Sequence, residues 1–441
     1  MLVQFKLKNY KPFKEELRFS MVASNYDKTT RVEDNVAEAP AFGLKLLKSA
    51  VIYGANASGK SKLAEGMRFM RNFALHSSRE TQKGDKIPVQ PFLLSTETEN
   101  QPSEFEIMFL HDSELFRYGF EVSPQKVEAE WLFHRAKTKE VEIFYRDGQQ
   151  FELHDTRFKT AKPLVDKKMI RSNALLLSVA AQFNDKLAGK ALEWFKQFNI
   201  ISGLQEEGYQ GFTMGQTKDD QAKQEILALL KAADMGIDDL SLKYLDPGNF
   251  PKGMPQELRE MIEQKLREEG GEVFTDVLTS HKKYDASKRV AGTVQFSLDE
   301  DESSGTRKFF ALSGPVLDTL KQGKVLVGDE LESKMHSNLV CKLAELFNSK
   351  DKNPNNGQLI FNTHDTNLLS SGLFRRDQIW FVEKDQYGAA SLSSLSDYEA
   401  RREENYEKNY LQGKYGAVPM LEEFSPVYLK SPTFLNVGAT R

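Results

Sequence analysis

The chain has 441 residues, with 60 Lys and Arg against 64 Asp and Glu and a formal net charge of −4. That length predicts two or three structural units rather than one core, and the near-balanced charge excludes whole-molecule basicity as a way of holding nucleic acid, leaving only a local basic face open. The single cysteine, Cys341, excludes an internal disulfide, and no apolar run approaches the roughly 20 residues that span a bilayer, so a cytoplasmic protein without a membrane partner is expected.

The first residues, "MLVQFKLKNY", alternate apolar and polar side chains, the period of a half-buried strand. They carry no apolar leader. "LRFSMVAS" reads as a second strand. "SAVIYG" is a short apolar strand, and "KSKLAEGMRFMRNFAL" has helical spacing; between them lies G-x-x-x-x-G-K-S at 54–61. Strand, glycine loop and helix are the setting in which that spacing binds phosphate. Gly54 and Gly59 let the loop backbone, with Ala55, Asn56, Ala57 and Ser58, approach phosphate oxygens. Lys60 neutralises the β- and γ-phosphates, and the Ser61 hydroxyl is a ligand for Mg²⁺.

From about 104 to 153, five short alternating segments with brief polar connections predict an antiparallel β layer. From 163 to 283 helical stripes dominate, in "DQAKQEILALLKAADM" and "MPQELREMIEQKLREE". Parallel-strand character is expected again from about 291. The resulting division is an N-terminal lobe at 1–162, a helical insertion at 163–283, a C-terminal lobe at 284–424 and a tail at 425–441.

Three later motifs complete the chemistry. "KVLVGDELES" ends an apolar strand at Asp329, the position of a Mg²⁺-holding carboxylate. Glu330 follows it and suits polarisation of an attacking water. In "QLIFNTHDTNLL", His364 follows another apolar strand and is placed to meet the γ-phosphate or the water. In "LDEDESSGTRKFFAL", Ser303, Ser304, Gly305 and Thr306 open a helix whose N-terminus suits a phosphate. One phosphate loop already serves the nucleotide in its own chain, so this helix end is expected to close over the nucleotide of a second copy.

With these motifs in this order, the chain resembles the ABC/SMC-type ATPase heads: an α/β P-loop NTPase fold with a mixed sheet, an antiparallel β layer and a helical insertion. Within them it is similar to AAA_15 and OLD-like ATPases of bacterial defence, and to the ATPase components of two-gene abortive-infection systems of the AbiL and Rlo type, with PARIS as a relative. The resemblance runs through "MLVQFKLKNYKPF", "SAVIYGANASGKSKL", "RSNALLLSVAAQF", "ESSGTRKFFAL", "VLVGDELESKMH", "QLIFNTHDTNLL" and "NYLQGKYGAVP". It implies ATP and Mg²⁺ as cofactors, 54–61 as Walker A, Asp329 and Glu330 as the end of Walker B, His364 as the switch histidine, and Ser303 and Gly305 as signature residues acting in trans. Leu331 and Glu332 would begin the D-loop. As partners it implies a second copy or a higher oligomer, a separate Toprim- or RloB-like nuclease effector, and a phage protein or nucleic acid as trigger. A DNA-processing repair ATPase acting by itself and an ATP-binding scaffold with little turnover are the alternatives. The sequence departs from the family in "ESSGT" for the signature, in Gly328 where a bulky aliphatic is usual, and in lacking a clear Q-loop, for which Gln90 is the candidate.

Overall fold

The structure, a computed structural model, describes residues 1–244, 255–257, 259, 260, 264, 274–399 and 404–419. The predicted tail and most of "MPQELREMIEQKLREE" lie outside the described residues.

The central sheet has six strands in the order Phe198–Ser202, Val325–Asp329, Gln358–Asn362, Ser49–Tyr53, Ile379–Lys384 and Ala390–Ser394. The first five run parallel and the last pairs antiparallel at the edge. Ser49–Tyr53 and Gln358–Asn362 are buried along their whole length, which is why they read as continuous apolar runs. Their side chains alternate between two cores. Ala50, Ile52, Val325 and Ile360 face one, and Val51, Tyr53, Leu326 and Phe361 face the other.

On the first face lies the helix Lys60–His76, and beyond it a seven-stranded antiparallel sheet that begins with Leu2–Lys8 and Leu17–Ser20 and takes in the five strands from 103 to 153. Phe69 and Phe73 on that helix meet Phe105 and Phe120 of the antiparallel sheet, so one core joins the helix to both sheets. Gln358, fully buried, receives a hydrogen bond from Leu2 N–H and donates to the carbonyls of Leu2 and Leu47. The start of the chain is thereby tied to the strand that leads to His364. On the opposite face pack the helices Ser304–Gln322 and Ser337–Asn348.

Several elements differ from the sequence reading. The stretch expected to be helical also holds Phe198–Ser202, which pairs in parallel with Val325–Asp329, as well as Asp239–Tyr244 and nearly all of Phe274–Tyr284. Moreover, parallel pairing resumes only at Val325. Val290–Ser297 is instead the antiparallel partner of Phe274–Tyr284 in a separate three-stranded sheet. "FNIIS" is too short for its periodicity to separate strand from helix, and the strand at 290 is exposed along most of its length.

Candidate functional site

Three parallel strands end on the same side and deliver the site. From Ser49–Tyr53 the chain turns through 54–59 into the helix Lys60–His76. Gly54 has no room for a side chain, because an added Cβ would sit 2.5 Å from the Val382 carbonyl and 2.6 Å from Ser58 Oγ. Gly59 has φ of 118° and Pro12 Cγ 3.2 Å from where a Cβ would be, so both conformation and space demand glycine there. The strand Gln358–Asn362 lies between Ser49–Tyr53, which leads into the loop, and Val325–Asp329, which ends at the acidic pair.

A cavity of 660 Å³ is lined by residues 55–62, Pro12, Glu330, His364 and Lys384, a volume suited to a nucleotide. Of the sequence-predicted residues, Ala55, Asn56, Ala57, Ser58, Gly59, Lys60, Ser61, Glu330 and His364 thus meet around one space. Gly54 precedes the lining residues, and its carbonyl accepts from Lys60. Asp329 stands one residue behind Glu330 at the strand end, and its charge acts on Lys60. Ser303 and Gly305 do not line this cavity. Gln90 has its side chain exposed, while its carbonyl accepts from Lys11 N–H beside Pro12.

Lys60 is 6% exposed and donates to the carbonyls of Gly54 and Ala55 at 2.6 and 3.2 Å. Burial lowers its pKa to about 8, against the opposing pull of Glu332, Glu330 and Asp329. A buried cation leaning on loop carbonyls, with the hydroxyl of Ser58 buried beside it without a partner, fits an anion that would satisfy both. His364 has its pKa lowered by desolvation and then by the Lys60 charge. It is therefore neutral at pH 7 and able to accept or donate one hydrogen bond.

The acidic end of the site is held by residues that the motif reading passed over. Glu330 has φ of 55°, an uncommon conformation for a non-glycine residue. Asn362 fixes it: its Oδ1 accepts from Glu330 N–H and its Nδ2 donates to Asp329 Oδ1, both at 2.5 Å. Glu332 accepts from His364 N–H at 2.7 Å. Lys308, fully buried on the helix Ser304–Gln322, has its Nζ 3.4 Å from the Glu330 carbonyl oxygen. At Gly328, where a bulky aliphatic was expected, an added Cβ would come 2.9 Å from Leu331 Cδ1. Leu331 folds back over the strand end and fills that place.

Gly203, just past Phe198–Ser202, donates to the Asp329 carbonyl at 2.6 Å, and an added Cβ would overlap the Glu330 carbonyl. Replacing Gly203 with Ala is therefore expected to displace Glu330 and lower turnover at least tenfold while nucleotide affinity stays within about threefold, because a misplacement near 1 Å can cost about 10²-fold. Steady-state ATPase and nucleotide titration check it. Polar Asn362 at the end of an apolar strand was the available signal for this shell. Gly203 and Lys308 gave none, because only the tertiary fold brings them to Glu330.

At the other motif, Ser303 caps the helix Ser304–Gln322 through an acceptor bond from Thr306 N–H at 3.1 Å. Gly305 faces the Lys334 carbonyl, which a Cβ would approach to 2.8 Å. The start of this helix and the turn that follows Glu332 are thus packed together, with Lys334 paired to Glu206 at 2.6 Å.

A phosphate loop at the end of a parallel strand, facing the acidic end of another strand two positions along, defines a P-loop NTPase, and the added antiparallel layer gives it the form of an ABC-type head. Residues 49–370 match the family described as "AAA domain, putative AbiEii toxin, Type IV TA system", and the chain belongs to that family. No curated protein matches. Among solved structures it is similar to an SMC head bound to the C-terminal winged-helix domain of ScpA (TM-score 0.46, 11% identity, 89% of this chain and 97% of that one). It is also similar to the SMC head domain of Thermotoga maritima (0.40, 11%, 89% and 98%) and to a Pyrococcus furiosus Smc head with an extended coiled coil (0.33, 11%, 89% and 96%). Among the described residues no helix is long and apolar enough to cross a membrane.

Proposed function

We propose that this chain is an ATP-hydrolysing regulatory head that works as a head-to-tail dimer, or as dimers within a larger oligomer, and controls a separate effector in anti-phage abortive infection. The observation that carries the dimer is the separation within one chain of two phosphate-directed motifs. The cavity holds the loop, Glu330 and His364, while Ser303 caps a helix that lies outside it, with Gly305 in that helix's first turn, and leaves the cavity without its signature half.

Within one subunit, residues 54–60 hold the triphosphate, Glu330 takes up a proton from the attacking water, and neutral His364 orients that water or the γ-phosphate. Ser61 and Asp329 are the residues that would hold Mg²⁺, which supplies charge neutralisation at the phosphates. Ser303 and Gly305 of a second copy then close the site, so that ATP joins two heads and hydrolysis releases them. Defence is supported by the resemblance and by the toxin–antitoxin wording of the family description. The effector is a Toprim- or RloB-like nuclease, and the trigger a phage protein or nucleic acid.

The dimer is tested by mixing two inactive variants. Lys60→Met removes the loop cation and Ser303→Arg obstructs the signature. A head-to-tail heterodimer of the two contains one site with both halves intact, so ATPase activity returns on mixing. If each site is complete within one chain, the mixture stays inactive and the dimer reading fails. Toxicity that requires the adjacent gene product as well as this chain tests the effector.

A further inference from the structure

The tip of one hairpin in the antiparallel sheet carries a side-chain cluster that nucleotide chemistry does not use. Strands Ser103–His111 and Glu114–Val122 pair with His111 opposite Glu114. The connection is only Asp112 and Ser113, at φ of 49° and 59°, the positive-φ pair of a type I′ turn. The helix Lys186–Gln197 packs beneath this hairpin through Trp194, whose ring stacks on Phe109 at 4.1 Å. That packing brings Glu193 against His111.

His111 Nε2 lies 3.8 Å from Glu193 Oε2 and 3.9 Å from Asp112 Oδ2. One ligand atom from each of the three falls within 4.8 Å of the others. The His111 side chain is only 9% exposed, and its Nε2 is buried without a hydrogen-bond partner. Neither carboxylate is close enough to satisfy it, and a buried polar atom left unpaired calls for an explanation. The two carboxylates, by contrast, are exposed. A nitrogen donor thus sits at the base of the cluster, with two anionic oxygens at its solvent rim.

The geometry points to a divalent transition-metal site formed by His111 Nε2, Asp112 and Glu193. One imidazole and two carboxylates suit borderline ions such as Zn²⁺, Ni²⁺ or Co²⁺, whereas Mg²⁺ and Ca²⁺ favour all-oxygen sets. Tetrahedral Zn²⁺ with ligands at about 2.1 Å separates neighbouring donors by about 3.4 Å. The two separations from His111 Nε2 exceed this by about half an ångström and that between the carboxylate oxygens, within 4.8 Å, by at most about 1.4 Å; rotation of the exposed carboxylates closes both, and water completes the fourth position. Nearby Glu114 is already engaged by Lys190 at 2.7 Å and faces His134 at 3.3 Å. An ion here fastens the hairpin tip to the helix that runs directly into Phe198–Ser202, the strand beside Walker B. Its role is that of a structural staple.

The test uses the full chain, stripped with a chelator and free of nucleotide, titrated with Zn²⁺ by calorimetry and followed by thermal unfolding. One equivalent per chain is expected, with a rise in Tm. His111→Gln and Glu193→Gln should each weaken binding tenfold or more, and Asp329→Asn should leave this equivalent intact. Because Glu193 is exposed, its variant carries the test if the His111 variant does not fold. Absence of saturable binding, or binding undiminished in Glu193→Gln, overturns the site.

Discussion

Replacing Glu330 with Gln is expected to lower ATP turnover by about 10²–10⁴-fold, the usual contribution of a positioned general base. This corresponds to about 2.7–5.4 kcal/mol of transition-state stabilisation. The substitution keeps the shape of the side chain and leaves intact both contacts that hold the backbone in place, Asn362 Oδ1 to Glu330 N–H and Lys308 Nζ toward the Glu330 carbonyl. The loss therefore belongs to the carboxylate and not to a collapsed turn. Nucleotide affinity should stay within about threefold, because Lys60 and the loop are untouched, and the dimer should persist with ATP instead of parting. Single-turnover hydrolysis, nucleotide titration and mass measurement with ATP separate these effects. If turnover is unchanged while binding is normal, water activation by Glu330 is wrong, and the scaffold reading gains instead.

The contrast between Glu330 and its supports shows what the sequence could reveal. The loop at 54–61, the acidic pair 329–330 and His364 were legible because each sits where an apolar strand ends, and a strand end is a local pattern. Their assembly around one cavity follows from parallel strand order, which those patterns imply. Gly203 and Lys308 were not legible. Each matters only because Phe198–Ser202 pairs with Val325–Asp329 and because the helix Ser304–Gln322 lies across that strand. Likewise Gly328 looked like a departure until Leu331 was seen to occupy the space a larger residue would need. The strands at 198 and 239 were missed for a plainer reason, since five or six residues beside strong helical stripes carry too little periodicity to compete with them. The metal-like cluster at His111 joins residues 111 and 193 across 82 positions, with no spacing motif to announce it.

Lys60→Met is expected to weaken nucleotide binding by about 30- to 5000-fold, the range that follows from about 2–5 kcal/mol for truncating one member of a buried charge pair. Its pH signature distinguishes this cause from a general loss of fold. In the free protein burial lowers the Lys60 pKa to about 8 from an ordinary 10.5. The unfolded chain therefore binds more protons than the folded one between pH 8 and 10.5, and stability from this group rises with pH across that window. The burial penalty is fully present below pH 8 and relieved as the lysine becomes neutral. Lys308, lowered to about 8 mainly by its own burial, behaves alike, but it is common to both proteins and cancels in the difference. Nucleotide reverses the sign, because phosphate oxygens favour the charged lysine and raise its pKa on binding. Binding then takes up a proton above pH 8, and wild-type affinity falls as pH increases from 8 to 10. In Lys60→Met this pH dependence should flatten, and the free protein should lose its relative gain in stability above pH 8. Chemical denaturation with and without nucleotide at pH 7, 8, 9 and 10 measures both slopes. An affinity that falls with pH equally in wild type and Lys60→Met would assign the proton to another group and remove Lys60 as the cation that grips the phosphates.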